Sequence, residues 1–106
     1  MHNDIFIEIS GDNFNNSIDN SNGFIIFYKN LCPHCKVMSK VLEKIIAQDT
    51  RLKVFSVDSE KNSELMEQLN ITRVPSICSL HNGKITGVQT GIKNPKETIL
   101  FYNSHI

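Results

Sequence analysis

An apolar segment that leads directly into a two-cysteine motif constrains the fold of this chain more than any other feature. Residues 24 to 28, FIIFY, are apolar throughout, as is typical of a strand that is covered on both faces. The sequence CPHC follows at residues 32 to 35, and after it apolar residues recur at spacings of three and four up to Ile46. We therefore predict a central strand, a cysteine pair beyond its end and a long helix that packs against the sheet.

Other short segments rich in β-branched and aromatic residues predict further strands. These lie at residues 5–9, 52–57, 77–81 and 84–90. The first two each carry a charge, so we expect them nearer the edge of the sheet. The dipeptide Asn82-Gly83 favours a two-residue hairpin, which makes the last two strands antiparallel and the sheet mixed.

Helical patterns separate the strands. A weak helix is predicted at residues 13 to 20, and a short one around Leu65 that ends near Asn70. A final helix begins at Pro95, preceded by the N-cap residue Asn94. The prediction is an α/β fold in which helices flank a mixed central β-sheet, in the order β-α-β-α-β-α-β-β-α.

Length and charge exclude several classes of protein. At 106 residues the chain fits one domain, residues 1–106, which we expect to be a monomer. Basic and acidic residues balance at 11 each, so nucleic acid is not an expected partner. Without a long apolar run or a secretory signal, we expect no membrane contact and a cytoplasmic location. Three cysteines in such a chain argue against a structural disulfide framework.

The CPHC motif has the pattern of a redox-active pair. Cys32 falls at the N-cap or in the first turn of the long helix, and Pro33 takes a position where a missing N–H costs nothing. Free backbone N–H groups of His34 and Cys35 and the helix dipole favour a thiolate on Cys32 and lower its pKa. A protonated His34 adds to that effect. Cys32 is therefore the predicted nucleophile, and Cys35, pointing towards the core, is the predicted resolving thiol.

A metal site is the alternative interpretation of the motif. A structural zinc site needs two more ligands, and the chain offers few at familiar spacing. These are Cys78, His2, His81 and His105. We expect no resident metal, a core position for Cys78 in its strand and surface positions for the three histidines.

Over nearly its whole length the chain resembles the thioredoxin family. The resemblance rests on FIIFYKNLCPHCK, the Val57-Asp58 pair, RVPS at residues 73 to 76, HNGK at 81 to 84 and Gly91. It implies the thioredoxin fold, a cis Pro75 that faces the cysteines and a substrate peptide that pairs with the backbone of Val74. Substrate contacts are accordingly expected at Leu31, Arg73, Val74 and Pro75.

Several positions depart from the family pattern. Leu31 stands where a tryptophan usually precedes the first cysteine, so the docking surface differs. Ile26 replaces a buried aspartate and Val54 replaces its lysine partner. CPHC itself differs from the usual CGPC and resembles the motif of periplasmic disulfide oxidants, whose large helical insertion 106 residues cannot contain.

The predicted function is thiol-disulfide oxidoreductase activity without a bound cofactor. The expected partners are proteins that carry disulfides or dithiols, together with a thiol reductase or glutathione for recycling. Pro33, His34 and the missing carboxylate at position 26 lead us to expect a site less reducing than a typical thioredoxin. The alternatives are a glutaredoxin-like activity coupled to glutathione and a metal-binding protein that uses Cys32 and Cys35.

Overall fold

The computed structural model describes residues 5–106; His2, predicted at the surface, lies outside this range. Within it the strands are β1 (Ile7–Glu8), β2 (Gly23–Tyr28), β3 (Lys53–Asp58), β4 (Ser76–His81) and β5 (Lys84–Thr90). The helices are α1 (Phe14–Ile18), α2 (Pro33–Gln48), α3 (Ser63–Gln68) and α4 (Pro95–Ser104), and a 3-10 turn at Gly11–Asn13 precedes α1. The predicted element order is confirmed, although β1 is shorter than the predicted strand at residues 5–9.

The described strands form one mixed sheet in the order β1-β3-β2-β4-β5. β2 is central, as predicted, and pairs in parallel with β3 and antiparallel with β4. β1 lies at the edge, while β3 is paired on both sides. The β4–β5 hairpin turns at Asn82 and Gly83, whose φ angles of 52° and 80° are those that such a turn requires.

Alternate residues of β2 supply the core on the two faces of the sheet. Ile25 and Phe27 pack with residues of α1 and α3 on one face. Phe24 and Ile26 pack with α2 on the other, where Phe101 and Tyr102 of α4 also contribute. Because every residue of β2 is buried, the apolar run FIIFY fits a strand covered on both sides. α2 is thereby fixed against the sheet, with its first turn beyond the end of the central strand.

Candidate active site

The cysteine pair lies between the end of β2 and the start of α2. Cys32 is the N-cap residue, with φ −115° and ψ 101°, and Pro33 opens the helix, so Cys35 is the third helical residue. The backbone N–H of Cys35 donates to Sγ of Cys32 at 3.2 Å. The two residues are disulfide-bonded, with their Cα atoms 5.3 Å apart. The predicted position at the helix start is confirmed, while the predicted bond from the N–H of His34 to this sulfur is absent among the described residues.

The two cysteines differ in their access to solvent. Cys32 keeps 7% of its surface exposed and Cys35 keeps 1%. A partner molecule therefore meets Cys32 first, and Cys35 lies behind it. This difference fits the sequence-based assignment of Cys32 as the attacking sulfur.

Tyr28 and Val74 surround the disulfide from the sheet side. Tyr28 forms one buried cluster with Cys32 and Cys35, and Val74 packs against that cluster. The peptide bond between Val74 and Pro75 is cis, and Pro75 is buried. The tertiary structure thus places Val74 beside the cysteines, about 40 residues away in sequence.

The rim of the site is exposed and carries an apolar side chain. Leu31 is 95% exposed and adopts a left-handed φ of 57°, unusual for a residue with a branched side chain. His34 and Arg73 are also exposed. Arg73 and Val74 line a surface cleft next to Lys29. The residues predicted to contact substrate therefore include two exposed side chains, those of Leu31 and Arg73.

A hydrogen bond fixes the turn that presents Val74. The hydroxyl of Ser76 donates to the backbone carbonyl of Arg73 at 2.7 Å. The same hydroxyl lies 3.0 Å from Oγ1 of Thr90 on β5. These contacts tie the residues before Pro75 to the two antiparallel strands.

A polar network behind the cysteines was not predicted. The Tyr28 hydroxyl lies 2.9 Å from each carboxylate oxygen of Glu8 and donates to this carboxylate. The hydroxyl of Ser56 donates to Oε1 of Glu8 at 2.7 Å. Asp58, 6% exposed, is the register partner of Tyr28 on β3. Burial, the hydrogen bond to Glu8 and the nearby charges of Glu8 and Asp58 raise the pKa of Tyr28.

One signal in the sequence pointed to this network. Glu8 is the single charge within the strand-like segment IFIEI, and Tyr28 carries the one side-chain hydroxyl of FIIFY. Each fits a strand pattern by itself, and nothing local joins residues 20 positions apart. The parallel register is what brings them together.

The positions of the family's buried charge pair are apolar. Ile26 is fully buried and Val54 is 1% exposed. Both belong to the cluster between the sheet and α2, with Met38 and Leu42. The sequence-based expectation of an apolar pair here is confirmed.

Cys78 lies in the core, as predicted. It is fully buried, and it is a free thiol. Burial raises the pKa of Cys78 to about 12. The neutral thiol is therefore the form that the core favours.

The prediction that His81 is a surface residue is wrong. Its ring packs on Tyr102 with the centroids 4.1 Å apart, and its Nε2 lies 3.0 Å from the Tyr102 carbonyl oxygen. His81 is half-buried because α4 crosses the end of β4 at this point. His105 is exposed, as predicted, with its ring 4.7 Å from that of Phe101.

The described part of the chain has no cluster of candidate metal ligands and no helix that could span a membrane. Between residues 5 and 106, no three His, Cys, Asp or Glu side chains come together in a way that could hold a metal ion. No described helix combines the length and the apolar character needed to cross a membrane.

Comparison with known proteins identifies the family. The family model described as Thioredoxin matches residues 5–103. The chain belongs to the thioredoxin family. It is 26% identical over 97 residues to the thioredoxin of Chlamydia trachomatis serovar D, covering 92% of this chain and 95% of the relative. The resemblance drawn from CPHC, RVPS and the hairpin is therefore confirmed.

Solved thioredoxin structures share the fold. The solution structure of reduced desulfothioredoxin from Desulfovibrio vulgaris Hildenborough is 39% identical, with a TM-score of 0.77 and coverage of 92% of this chain and 96% of that one. Thioredoxin f2 of Chlamydomonas reinhardtii gives a TM-score of 0.81 at 24% identity, covering 94% and 95%. Membership of the thioredoxin family makes the protein a thiol-disulfide oxidoreductase, an enzyme that acts on disulfide-bearing substrates.

Proposed function

We propose that Cys32 attacks disulfides of partner proteins and that Cys35 resolves the resulting mixed disulfide. The unequal placement of the two sulfurs carries this proposal. Cys32 caps α2 and receives the N–H of Cys35, whereas Cys35 is almost completely buried behind it. A helix N-terminus favours a thiolate, so the more accessible sulfur is also the better nucleophile.

The reaction transfers two electrons to the substrate. The Cys32 thiolate bonds to one substrate sulfur, and the substrate disulfide breaks to release the first substrate thiolate. Cys35 then loses its proton and attacks Sγ of Cys32, which releases the second substrate thiolate and leaves the Cys32–Cys35 disulfide. The substrate thiolates take up protons. The reverse sequence oxidises a substrate dithiol.

Substrate peptides bind at the rim described above. Leu31 offers an exposed apolar side chain in the place of an aromatic one, and Val74, followed by the buried Pro75, packs against the cysteine cluster. Arg73 adds a positive charge at this edge. We infer a preference for apolar residues next to the substrate cysteine, since Leu31 makes no stacking interaction.

Insulin reduction by dithiothreitol tests the roles of the two cysteines. Cys32→Ser is expected to lose the catalysed rate, and Cys35→Ser is expected to accumulate mixed disulfides with its partners. Cys78→Ser is the matched control and keeps the rate, because Cys78 is buried in the core. Full turnover by Cys35→Ser would exclude the two-thiol mechanism.

We expect the reduction potential of the Cys32–Cys35 pair to lie between those of thioredoxin and the periplasmic oxidants. Reference potentials are about −270 mV for thioredoxin and about −120 mV for the strong oxidant, whose reduced form is stabilised. The helix start, the imidazole of His34 beside Cys32 and the absence of a carboxylate at position 26 all favour the thiolate of this protein. Equilibration in glutathione buffers measures the potential, and His34→Gly is expected to make it more negative. A value at or below that of thioredoxin, unchanged by His34→Gly, contradicts this proposal.

The proposal also includes how the Cys32–Cys35 dithiol is restored and in which compartment the protein works. A thiol reductase or glutathione restores the dithiol, and reduction by glutathione alone would favour the glutaredoxin-like alternative. We propose a reducing compartment such as the cytoplasm as the location. Trapping thiols in intact cells and finding Cys32–Cys35 reduced would support this location, whereas full oxidation would contradict it.

A further inference from the structure

A carboxylate on the edge strand is joined to the active site through one buried side chain. Glu8 belongs to β1, two strands away from β2 across the sheet. The hydroxyl of Tyr28 donates to its carboxylate, with 2.9 Å to each oxygen. Tyr28 in turn belongs to the same buried cluster as Cys32 and Cys35. The edge of the sheet therefore has a direct structural link to the redox pair.

The position of Glu8 is fixed from two sides. Glu8 is the register partner of Ser56 in the parallel β1–β3 pair, and the Ser56 hydroxyl donates to Oε1 at 2.7 Å. Ser56 is in turn the partner of Ile26 on β2. Glu8 is exposed, yet its carboxylate accepts bonds from two side chains that are themselves buried. Hydrogen bonds to an ionised acceptor are stronger than those between neutral groups, so this geometry holds the charge in place.

The charges that face Tyr28 are both negative. Glu8 approaches from β1 and Asp58 from β3, while the cysteine pair lies on the α2 side. Together with burial, these carboxylates raise the pKa of Tyr28, so the phenol stays protonated and keeps donating to Glu8. A negative charge beside the site disfavours a thiolate there.

We propose that Glu8 is a positioning residue of the redox centre, which acts through Tyr28 to disfavour the reduced thiolate and to favour the disulfide. This inference rests on the proposed function of Cys32 and Cys35. Glu8 supplies a negative charge from an edge strand, whereas position 26, where the family usually has a buried carboxylate, is apolar. The effect opposes that of His34 and limits how oxidising the site becomes.

Glu8→Gln tests the charge while keeping the length of the side chain and one acceptor oxygen. We expect the equilibrium with glutathione to shift towards the dithiol by about threefold, a modest shift because water screens an exposed carboxylate. The apparent pKa of the Cys32 thiol is expected to fall with it. Both shifts shrink at high salt. Glu64→Gln, which neutralises an exposed carboxylate on α3, is the matched control and is expected to change neither quantity.

A double-mutant cycle tests the route through Tyr28. Tyr28→Phe keeps the ring against the cysteines and removes the hydroxyl that holds Glu8. It is expected to shift the equilibrium in the same direction as Glu8→Gln. In the Tyr28→Phe background, Glu8→Gln is then expected to add little. Additive shifts would overturn the role of Tyr28 in the proposal.

Stability measurements separate this role from a purely structural one. Lower resistance to urea with an unchanged potential and unchanged Cys32 pKa would overturn the proposal. If Glu8→Gln does not fold, Ser56→Ala loosens the carboxylate instead and is expected to give a smaller shift of the same sign. The thiol pKa is measured without any substrate, so the coupling can succeed or fail independently of insulin reduction.

Discussion

Cys32 and Cys35 are three residues apart, yet the first turn of α2 gives them different surroundings. Cys32 sits outside the helix with a backbone N–H directed at its sulfur, while Cys35 points into the protein. Cys78, on β4, is fully buried and belongs to an apolar cluster on one face of the sheet. Three cysteines in one small chain therefore differ in reactivity, because thiolate character and access decide the rate.

Brief treatment of the reduced protein with iodoacetamide near neutral pH is expected to label Cys32 first. Cys35 reacts more slowly, since it is less exposed, and Cys78 stays unlabelled in the folded protein. Mass mapping of the digested protein identifies the sites. Labelling in urea is the control, in which all three cysteines become modified. Faster labelling of Cys35 or Cys78 in the folded state would show that the nucleophile is assigned wrongly.

The pH dependence of stability is expected to carry a contribution from Cys78. Burial raises the pKa of its thiol from 9.0 to about 12. A raised folded-state pKa means that this contribution is fully present below pH 9 and is lost as the pH rises towards 12. Urea unfolding of the reduced protein and of Cys78→Ala, from below pH 9 upwards, measures the contribution of Cys78 to stability. The stability difference between the two should narrow as the pH rises, and a constant difference would contradict the assignment.

At the scale of elements, local signals in the sequence determined most of the boundaries. Pro33 and Asn94 mark helix starts that the structure reproduces, and Asn94 and Glu97 form the capping box. α1 is the least regular element, with a 3-10 turn before it, as its weak apolar pattern suggested. β1 is shorter than its pattern predicted, because pairing with β3 extends over two residues only.

Gly23 allows β2 to begin against β3, and replacing it is expected to be costly. Its φ is 144°, and a Cβ atom would collide with the backbone carbonyl oxygen of Lys53. Gly23→Ala should therefore lower the free energy of unfolding by about 3 kcal/mol or more, because neither strand can move away. Gly91→Ala is the control: φ is 90° there, but no atom lies within 4 Å of the added Cβ. Gly91→Ala is expected to lower the free energy of unfolding by about 1 kcal/mol. Equal losses for Gly23→Ala and Gly91→Ala in urea unfolding would contradict this account.

At the scale of the whole molecule, the core between the sheet and α2 has no polar pair at the family's usual positions. Ile26 of β2 and Val54 of β3 fill that space together with Met38. A single buried carboxylate here would have no cation beside it within this cluster of described residues. Burying a charge without one is among the most destabilising changes that a core can undergo.

Ile26→Asp is expected to lower the free energy of unfolding by about 3 kcal/mol or more at neutral pH. Burial raises the pKa of the new carboxyl above its unfolded value of about 3.9, so the loss is smallest below that pH and grows as the pH rises. Urea unfolding at acidic and neutral pH measures this change.

Ile26→Asn is the matched control, with a similar shape and no charge. The decrease in the free energy of unfolding of Ile26→Asn should not depend on pH. Adding Val54→Lys to Ile26→Asp should recover part of the stability by supplying the missing cation. A pH-independent loss in Ile26→Asp, or no recovery in the double variant, would show that the site tolerates a charge in another way.

The sequence by itself determined the order of strands and helices, the central place of β2, the hairpin at Asn82 and the position of Cys32 at a helix start. These features follow from signals within a few residues: apolar period, a proline at N1 and turn residues with positive φ. The resemblance to the thioredoxin family also rests on short motifs, each only a few residues long. Local chemistry was sufficient for all of them.

Only the tertiary structure decided which distant segments of the chain contact one another. The contacts of Tyr28 with Glu8, and of His81 with Tyr102, join residues 20 and 21 positions apart in sequence. Such contacts depend on strand register and on where α4 crosses the sheet, and neither is encoded in a local pattern. In the sequence, Glu8 is the single charge of a strand that is expected near the edge of the sheet. It becomes part of the active site because parallel pairing with β3 places its carboxylate beside two buried hydroxyl groups.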